Sequence, residues 1–313
     1  MSKVNEFKPS KLHGLWALTK RELKKWLKEP ILLFMAVIQP VIWMSLFGKA
    51  MNLGGIFSAG NINMPSIIPI SGNFLIPPQP GETIYVNGTV FSQMFANLGP
   101  SVMQNVFGVE DYFSYMSVGM ISFIVMFTTM FSGMSMVWDR RLGFLDKVLS
   151  TPVSRASIIF AKIFNATLRA MFQATIILIL AVLLGLKVSS TFTVFNILGV
   201  YAAIFLLCVG LSSVFIALAL RSTRQETQMA VVNLINLPLM FASNTFFPIS
   251  MMPEWIQAIA RVNPISYLTD AIRQLTILQM DVSALMFDFA YLGAFAAVLS
   301  TVGILLAWKY LTK

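Results

Sequence analysis

The sequence predicts an all-α polytopic membrane protein: six transmembrane helices, an N-terminal interfacial helix, and an extracellular re-entrant helical hairpin between spans five and six. Three observations predict it. Of the 313 residues, 57% are hydrophobic and only 11% charged, where soluble domains carry about 25% charged residues. Apolar stretches able to cross ~30 Å of hydrocarbon recur along the whole chain. Basic residues cluster at the N-terminus and after the second apolar stretch, whereas Ala50 through Phe113 holds no Lys or Arg.

The spans are expected near Ile31–Phe47, Ser114–Trp138, Leu168–Leu186, Phe195–Leu220, Met229–Phe247 and Phe289–Trp308, within one transmembrane domain covering residues 1–313. Lys3, Lys8, Lys11, Lys20, Arg21, Lys24, Lys25 and Lys28 precede the first span, and Arg140, Arg141, Lys147, Arg155 and Lys162 follow the second. Basic residues are retained on the cytoplasmic side, so both segments lie inside. An even number of spans returns the C-terminus to the same side, which places the chain in the cell (cytoplasmic) membrane with both termini cytoplasmic. Topology thus accounts for the net charge of +9, and a nucleic-acid partner gains no support from it.

Residues 14–29 carry Leu15, Trp16, Thr19, Leu23, Trp26 and Leu27 at spacings of three and four, with Lys20, Lys24 and Lys28 on another side. Such a helix lies flat on the inner surface of a membrane, tryptophans at headgroup depth and lysines toward anionic lipid. Pro30 then turns the chain inward. The extracellular loop, residues 50–113, is rich in Gly, Asn and Pro in its first half. Its second half places Phe91, Met94, Phe95, Leu98, Val102 and Val106 at helical spacing, and Asn87-Gly88-Thr89 fits a glycosylation acceptor.

The cytoplasmic segment 139–157 holds a short apolar stripe, Leu142, Leu145, Val148 and Leu149, that Pro152 ends. At under three turns it is marginal alone, so it needs a lipid surface or a docking partner to cover it. Lys162 and Arg169 follow on one helix and are expected to snorkel to the inner headgroups.

Inside the spans, apart from Arg169 at the start of the third, the polar groups are uncharged. Thr128, Thr129 and Ser132 mark span two; Asn233, Asn236, Met240 and Ser243/Asn244 form a stripe on span five, with Pro238 between them. Polar groups facing lipid are costly, so these faces meet other helices or a water-accessible path. After span five, "FFPISMMPEWIQAIARVNPISYL" carries Pro248, Pro253 and Pro264 among large apolar residues. Pro253 suits a first helical turn, Asn263-Pro264 suits a cap followed by a first turn, and a first helix of roughly ten residues would span about half a bilayer. Ile265, Leu268, Ile272 and Leu275 form the apolar face of the second helix, with Asp270, Arg273 and Gln274 off it. Two half-length helices joined by a break make a re-entrant hairpin over residues 248–287.

No G-x-x-x-x-G-K-[ST] phosphate loop, H-E-x-x-H or G-x-S-x-G is present. One histidine, His13, and one cysteine, Cys208, leave little scope for metal or thiol chemistry. No Asp or Glu lies inside the expected spans, which speaks against an ion- or proton-coupled secondary carrier; a non-transport membrane scaffold stays open.

Three stretches carry a resemblance. "LLFMAVIQPVIWMSLFG" with Pro40, "RRLGFLDKVLSTPVSRASIIFAK" with Gly143, Leu149, Thr151-Pro152 and Arg155, and "NLPLMFASNTFFPISMMPEWIQAIARVNPISYLTDAIRQL" are together similar to the membrane subunits of type-2 ABC permeases, the drug-, lipid- and polysaccharide-export kind. The likeness covers roughly residues 15–310. It departs from the family pattern at Arg141, where an acidic residue often stands, and at Ser243-Asn244, where Ser-Gly is common. The resemblance implies a transmembrane exporter subunit, not itself an enzyme, that pairs with a second permease chain as homodimer or heterodimer. Separate ABC ATP-binding subunits would bring ATP and Mg; the chain itself needs no cofactor and no metal. Leu142, Gly143, Leu145, Val148, Leu149, Pro152 and Arg155 would couple to the ATPase. Thr128, Thr129, Ser132, Asn233, Asn236, Met240 and Asn244 would line the translocation path. Phe246, Phe247, Pro248, Pro253, Trp255 and Pro264 would form an extracellular gate.

Overall fold

The computed structural model describes residues 11–50, 67–70, 84–87, 100–221 and 224–311. The expected amphipathic run from Phe91 to Leu98, and Gly88-Thr89 of the glycosylation pattern, lie outside them.

Helix α1, Lys11–Leu27, leads into α2, Pro30–Trp43, which has Pro30 in its first turn and Pro40 inside it. α2 runs on as a wider π turn over Met44–Ala50. In the loop that follows, β1, Ile67–Ile70, and β2, Ile84–Asn87, pair antiparallel with Ile67 opposite Asn87. This small ribbon falls in the half of the loop for which the sequence suggests no element; Pro69 is tolerated because a two-stranded ribbon has only edge strands.

Helix α3, Tyr112–Arg141, begins at an Asp111 cap whose carboxylate accepts from the Ser114 amide at 2.9 Å. It ends where Gly143 takes φ +67° and lets the chain turn into α4, Phe144–Leu149. α5, Arg155–Leu183, starts from a Ser154 cap. α6, Val194–Arg221, and α7, Gln225–Phe241, follow, with Pro238 inside α7. A 3₁₀ turn, Ile249–Met251, then leads to α8, Glu254–Ala260, α9, Pro264–Thr276, and α10, Val282–Leu311.

Among the described residues four helices are long and apolar enough to cross a membrane, ending at Arg141, Leu183, Arg221 and Tyr310. α2 and α7, at 14 and 17 residues, fall short of the ~20 that a straight span needs. In the membrane-crossing part of α3, 83% of residues are buried, against 17% in α10. α3 is therefore the axis of the bundle, and α10 presents most of its surface outward.

α5 begins at Arg155, from the Ser154 cap and well before the expected Leu168, because Lys162 and Asn165 depress the hydropathy of its first turns without ending the helix; Gln173 lies farther along. All three are nonetheless buried against neighbouring helices. α10 likewise begins before the expected Phe289 and takes in Asp288. Two apolar clusters result. The larger one joins α3, α5, α6 and α9; the smaller, at the α4 end of the bundle, joins Met136 and Val137 of α3, Leu145 and Val148 of α4, Ile159 of α5 and Ile216 of α6.

The segment expected to form the hairpin holds helices of seven and thirteen residues. The first is shorter than expected because Pro253 sits at the cap position, not inside the first turn, and the helix stops at Ala260. Asn263 caps α9 as expected, accepting from the Ile265 amide at 2.9 Å. Its amide nitrogen also donates to the Leu239 and Ala242 carbonyls, fastening α9 to the end of α7.

Candidate functional site

α4 is held by its own apolar stripe. Leu145 and Val148 are buried in the smaller core, whereas Leu142 is 67% exposed and Asp146, Lys147 and Pro152 also face outward. Gly143, Leu149 and Arg155 are intermediate. The coupling residues read from the sequence thus divide into two sets. Leu145 and Val148 anchor the helix; Leu142 and its exposed neighbours are what another molecule could touch.

Directly above α4 lies a cluster of four charges. Lys162 of α5 donates to Asp139 of α3, to Ser135 at 2.6 Å and to Glu22 of α1 at 3.1 Å, which uses all three of its protons. Arg21 pairs with Glu22 at 2.7 Å and approaches Asp139 at 3.8 Å, while its guanidinium lies 3.4 Å from the centroid of the Phe144 ring. Two cations and two carboxylates balance. Burial pushes the Glu22 carboxyl upward, but Lys162 and then Arg21 outweigh it, and the group ends below the ordinary carboxylate value. Lys162 therefore does not snorkel to headgroups: it is 6% exposed and fully partnered. Sequence reading missed this cluster, although a signal was there. Glu22 is the one acidic residue of α1 and stands three residues after Thr19 and four before Trp26, on the face that the structure buries.

In the middle of the bundle the two predicted stripes behave differently. Thr128 donates to Gln173 of α5 at 2.5 Å, and Thr129 and Ser132 bond to carbonyls of their own helix. All three hydroxyls are buried and satisfied within the chain. On α7 the buried stripe is Gln228, Val232, Asn236 and Met240, at i, i+4, i+8 and i+12. Asn233 lies off it and is exposed, since one residue turns a helix by about 100°. Asn236 is 2% exposed, and neither end of its amide has a partner among the described residues.

At the end of the bundle away from α4 the residues expected to form a gate frame a third centre. Tyr112 donates to the Phe246 carbonyl at 3.2 Å, and its ring stacks on Phe247 at 6.2 Å. Phe246 meets Phe123 edge-on. Pro248 precedes the 3₁₀ turn, Pro264 is buried at the start of α9, and Trp255 is 69% exposed. Asn244 belongs here and not to the mid-bundle stripe: its amide donates to Asp270, and its carbonyl accepts from Tyr115 and Arg273.

Arg273, placed off the apolar face of α9 by sequence, is 1% exposed. Its guanidinium donates to the carbonyls of Asn244, Thr245 and Tyr115 and lies 3.5 Å from the Tyr115 ring centroid. Carbonyls freed where α7 ends receive this arginine, which is why a charge can be buried there.

Charged clusters toward both ends, buried uncharged polar groups between them and four long apolar helices define a multi-pass membrane protein. A family model described as "ABC-2 type transporter" matches residues 81–277, more than half of the chain, and the chain belongs to that family. The putative transport permease ycf38 of Cyanophora paradoxa is 25% identical over 281 residues, covering 87% of this chain and 79% of the relative. Its counterpart in Porphyra purpurea is 27% identical over 259 residues, or 82% and 72%. The daunorubicin resistance ABC transporter permease protein DrrB1 of Streptomyces coeruleorubidus is 28% identical over 169 residues, covering 53% of this chain and 58% of the relative.

Proposed function

We propose that the chain is the transmembrane subunit of an ATP-driven exporter, one permease domain that pairs with a second permease chain and with separate ATP-binding subunits carrying ATP and Mg. The observation that carries this reading is α4. It is anchored from within by Leu145 and Val148, yet offers Leu142, Asp146, Lys147 and Pro152 at the inner surface, and it lies inside the family match. α1 lies at the cytoplasmic surface beside it, and both chain ends are cytoplasmic. α2 with its π turn and α7 with the residues after it complete six crossings.

Asn236 and Met240 of α7 and Thr128, Thr129 and Ser132 of α3 border the path, with the exposed Asn233 at the dimer axis. α8 and α9 enter the outer leaflet as the re-entrant hairpin. The segment from Phe246 to Pro264, Pro248, Pro253 and Trp255 included, gates the outer mouth.

Co-expression with the matching ATP-binding subunit, purification as one complex and reconstitution into vesicles tests the reading: ATP is expected to drive efflux of an amphipathic cargo. Asp139 and Asp288 are buried in long helices, so the lack of carboxylates no longer opposes a carrier. Transport that persisted without any ATPase would make that second reading the correct one.

A further inference from the structure

A second cationic centre lies between α1 and α5 and takes no part in the ion cluster. Arg169 stands seven residues beyond Lys162, about two helical turns along α5, and its guanidinium carbon is 5.2 Å from the centroid of the Trp26 ring. Trp26 is 6% exposed and meets Phe172 edge-on at 5.5 Å. Neither the indole Nε1–H of Trp26 nor Nε of Arg169 has a hydrogen-bond partner among the described residues. Of the two carboxylates whose charge reaches Arg169, Glu22 is engaged by Lys162 and Arg21, and Glu29 forms no ion pair with it.

The next element adds donors of the same kind. α2 opens at Pro30 with no side-chain cap from Glu29, so the first-turn N–H groups lack intrahelical acceptors. Lys24 and Lys25 are exposed on the last turn of α1 and Lys28 just beyond it, and Phe164 and Phe172 face outward from α5. A guanidinium stays ionised at any accessible pH. Here it is bordered by outward-facing apolar residues and by donors, and the nearest carboxylate not already engaged, Glu29, makes no ion pair with it among the described residues. Its complement is an oxyanion that arrives with hydrocarbon attached.

We propose that Arg169, Trp26 and the first turn of α2 bind the phosphate of an inner-leaflet phospholipid, with Lys25 and Lys28 favouring an anionic headgroup. The inference rests on the placement of α1 at the cytoplasmic surface, proposed above, but not on export or on an ATPase. A lipid tethered there would hold α1 to α5 just beyond the ion cluster.

The full-length chain, purified in neutral detergent, would be titrated with phosphatidylglycerol, phosphatidylcholine and inorganic phosphate, following the thermal midpoint and lipid retained in native mass spectra. Phosphatidylglycerol is expected to bind and stabilise. Arg169→Gln should weaken it about tenfold, the loss of one hydrogen bond to a charged group, while Arg169→Lys should retain part of the affinity. Trp26→Phe keeps ring and volume but loses the N–H, and serves where Arg169→Gln fails to fold; it too should weaken binding. Arg261→Gln, exposed at the outer end, should leave binding unchanged. Unaltered affinity in both Arg169→Gln and Trp26→Phe overturns the site. Equal stabilisation by inorganic phosphate overturns the lipid as its source, and equal affinity for phosphatidylcholine overturns the anionic preference. Because the readout needs no ATP, failure of the exporter reading would leave these results standing.

Discussion

Lys162 Nζ on α5 lies 3.1 Å from Glu22 Oε1 on α1, while the same ammonium donates to Asp139 on α3. One side chain thus ties α1 to two of the long helices, α3 and α5, beside α4. Taking away one member of a buried charge set costs about 3–5 kcal/mol, because the remaining charge is stranded out of water. Lys162→Met is expected to lower the thermal midpoint clearly. Lys162→Met with Glu22→Gln should cost less than the two single changes added, since their effects are coupled. Strict additivity in melts of the purified chain would show that the pair does not act as a unit.

The same cluster sets a pH dependence. Glu22 titrates below its ordinary value of 4.5 in the folded chain. A depressed carboxyl contributes stability that is complete above the unfolded value and is lost as pH falls through the folded one. Attachment of α1 should therefore be flat from pH 7 to about 5 and weaken only below 4.5. Limited proteolysis with an acid-active protease, following cleavage between residues 11 and 30, reads this directly. Release already at pH 6 would place control of α1 in some other group.

The membrane class, the long apolar helices and the Asn263 cap of α9 were legible in the sequence because each depends on local composition or on a motif a few residues long. The charge clusters were not. Glu22, Asp139 and Lys162 lie on three different helices, and hydropathy treats each of them as a reason to end a span. Arg273 looked like a polar residue off an apolar face because its acceptors, the carbonyls of Asn244 and Thr245, come from a helix end about thirty residues earlier in the chain. Asn233 and Asn236 looked alike at i, i+3, yet only Asn236 is buried; a stripe wide enough to include both spans the boundary between two surfaces.

Gly119 is the closest fit in the outer assembly. A Cβ at this position would stand 2.0 Å from the Thr245 carbonyl oxygen and 3.3 Å from the Arg273 guanidinium. Backbone cannot be displaced as a flexible side chain can, so Gly119→Ala should cost at least the ~1–3 kcal/mol typical of overpacking. It should also open the 242–253 turn to protease. Arg273→Met should open the same turn by leaving the Asn244 and Thr245 carbonyls short of donors, whereas Trp255→Ala, at an exposed position, should not. Equal proteolysis of all three variants would mean that the Arg273 contacts do not hold the outer turn.

Leu142 and Leu145 separate docking from folding. They are three residues apart on the inner segment, yet Leu142 is 67% exposed and Leu145 only 5%. Leu145→Asp places a carboxylate among Met136, Val137, Val148 and Ile159 and upsets the balanced charges of Arg21, Glu22, Asp139 and Lys162, which line the same small cavity. It should lower the thermal midpoint of the isolated chain, and any loss of partner binding would then be indirect. Leu142→Asp changes only the outward surface and should leave the melt within about 0.5 kcal/mol of the parent. If α4 is the docking element, Leu142→Asp nevertheless weakens capture of the ATP-binding subunit, because an apolar contact at the centre of an interface is replaced by a desolvated charge. Leu142→Met, which keeps the apolar contact, should restore it. Melting curves of the chain alone, paired with co-purification of the complex, divide the two effects. A stable Leu142→Asp chain that still captured the ATPase and supported its coupled activity would move the docking surface away from α4.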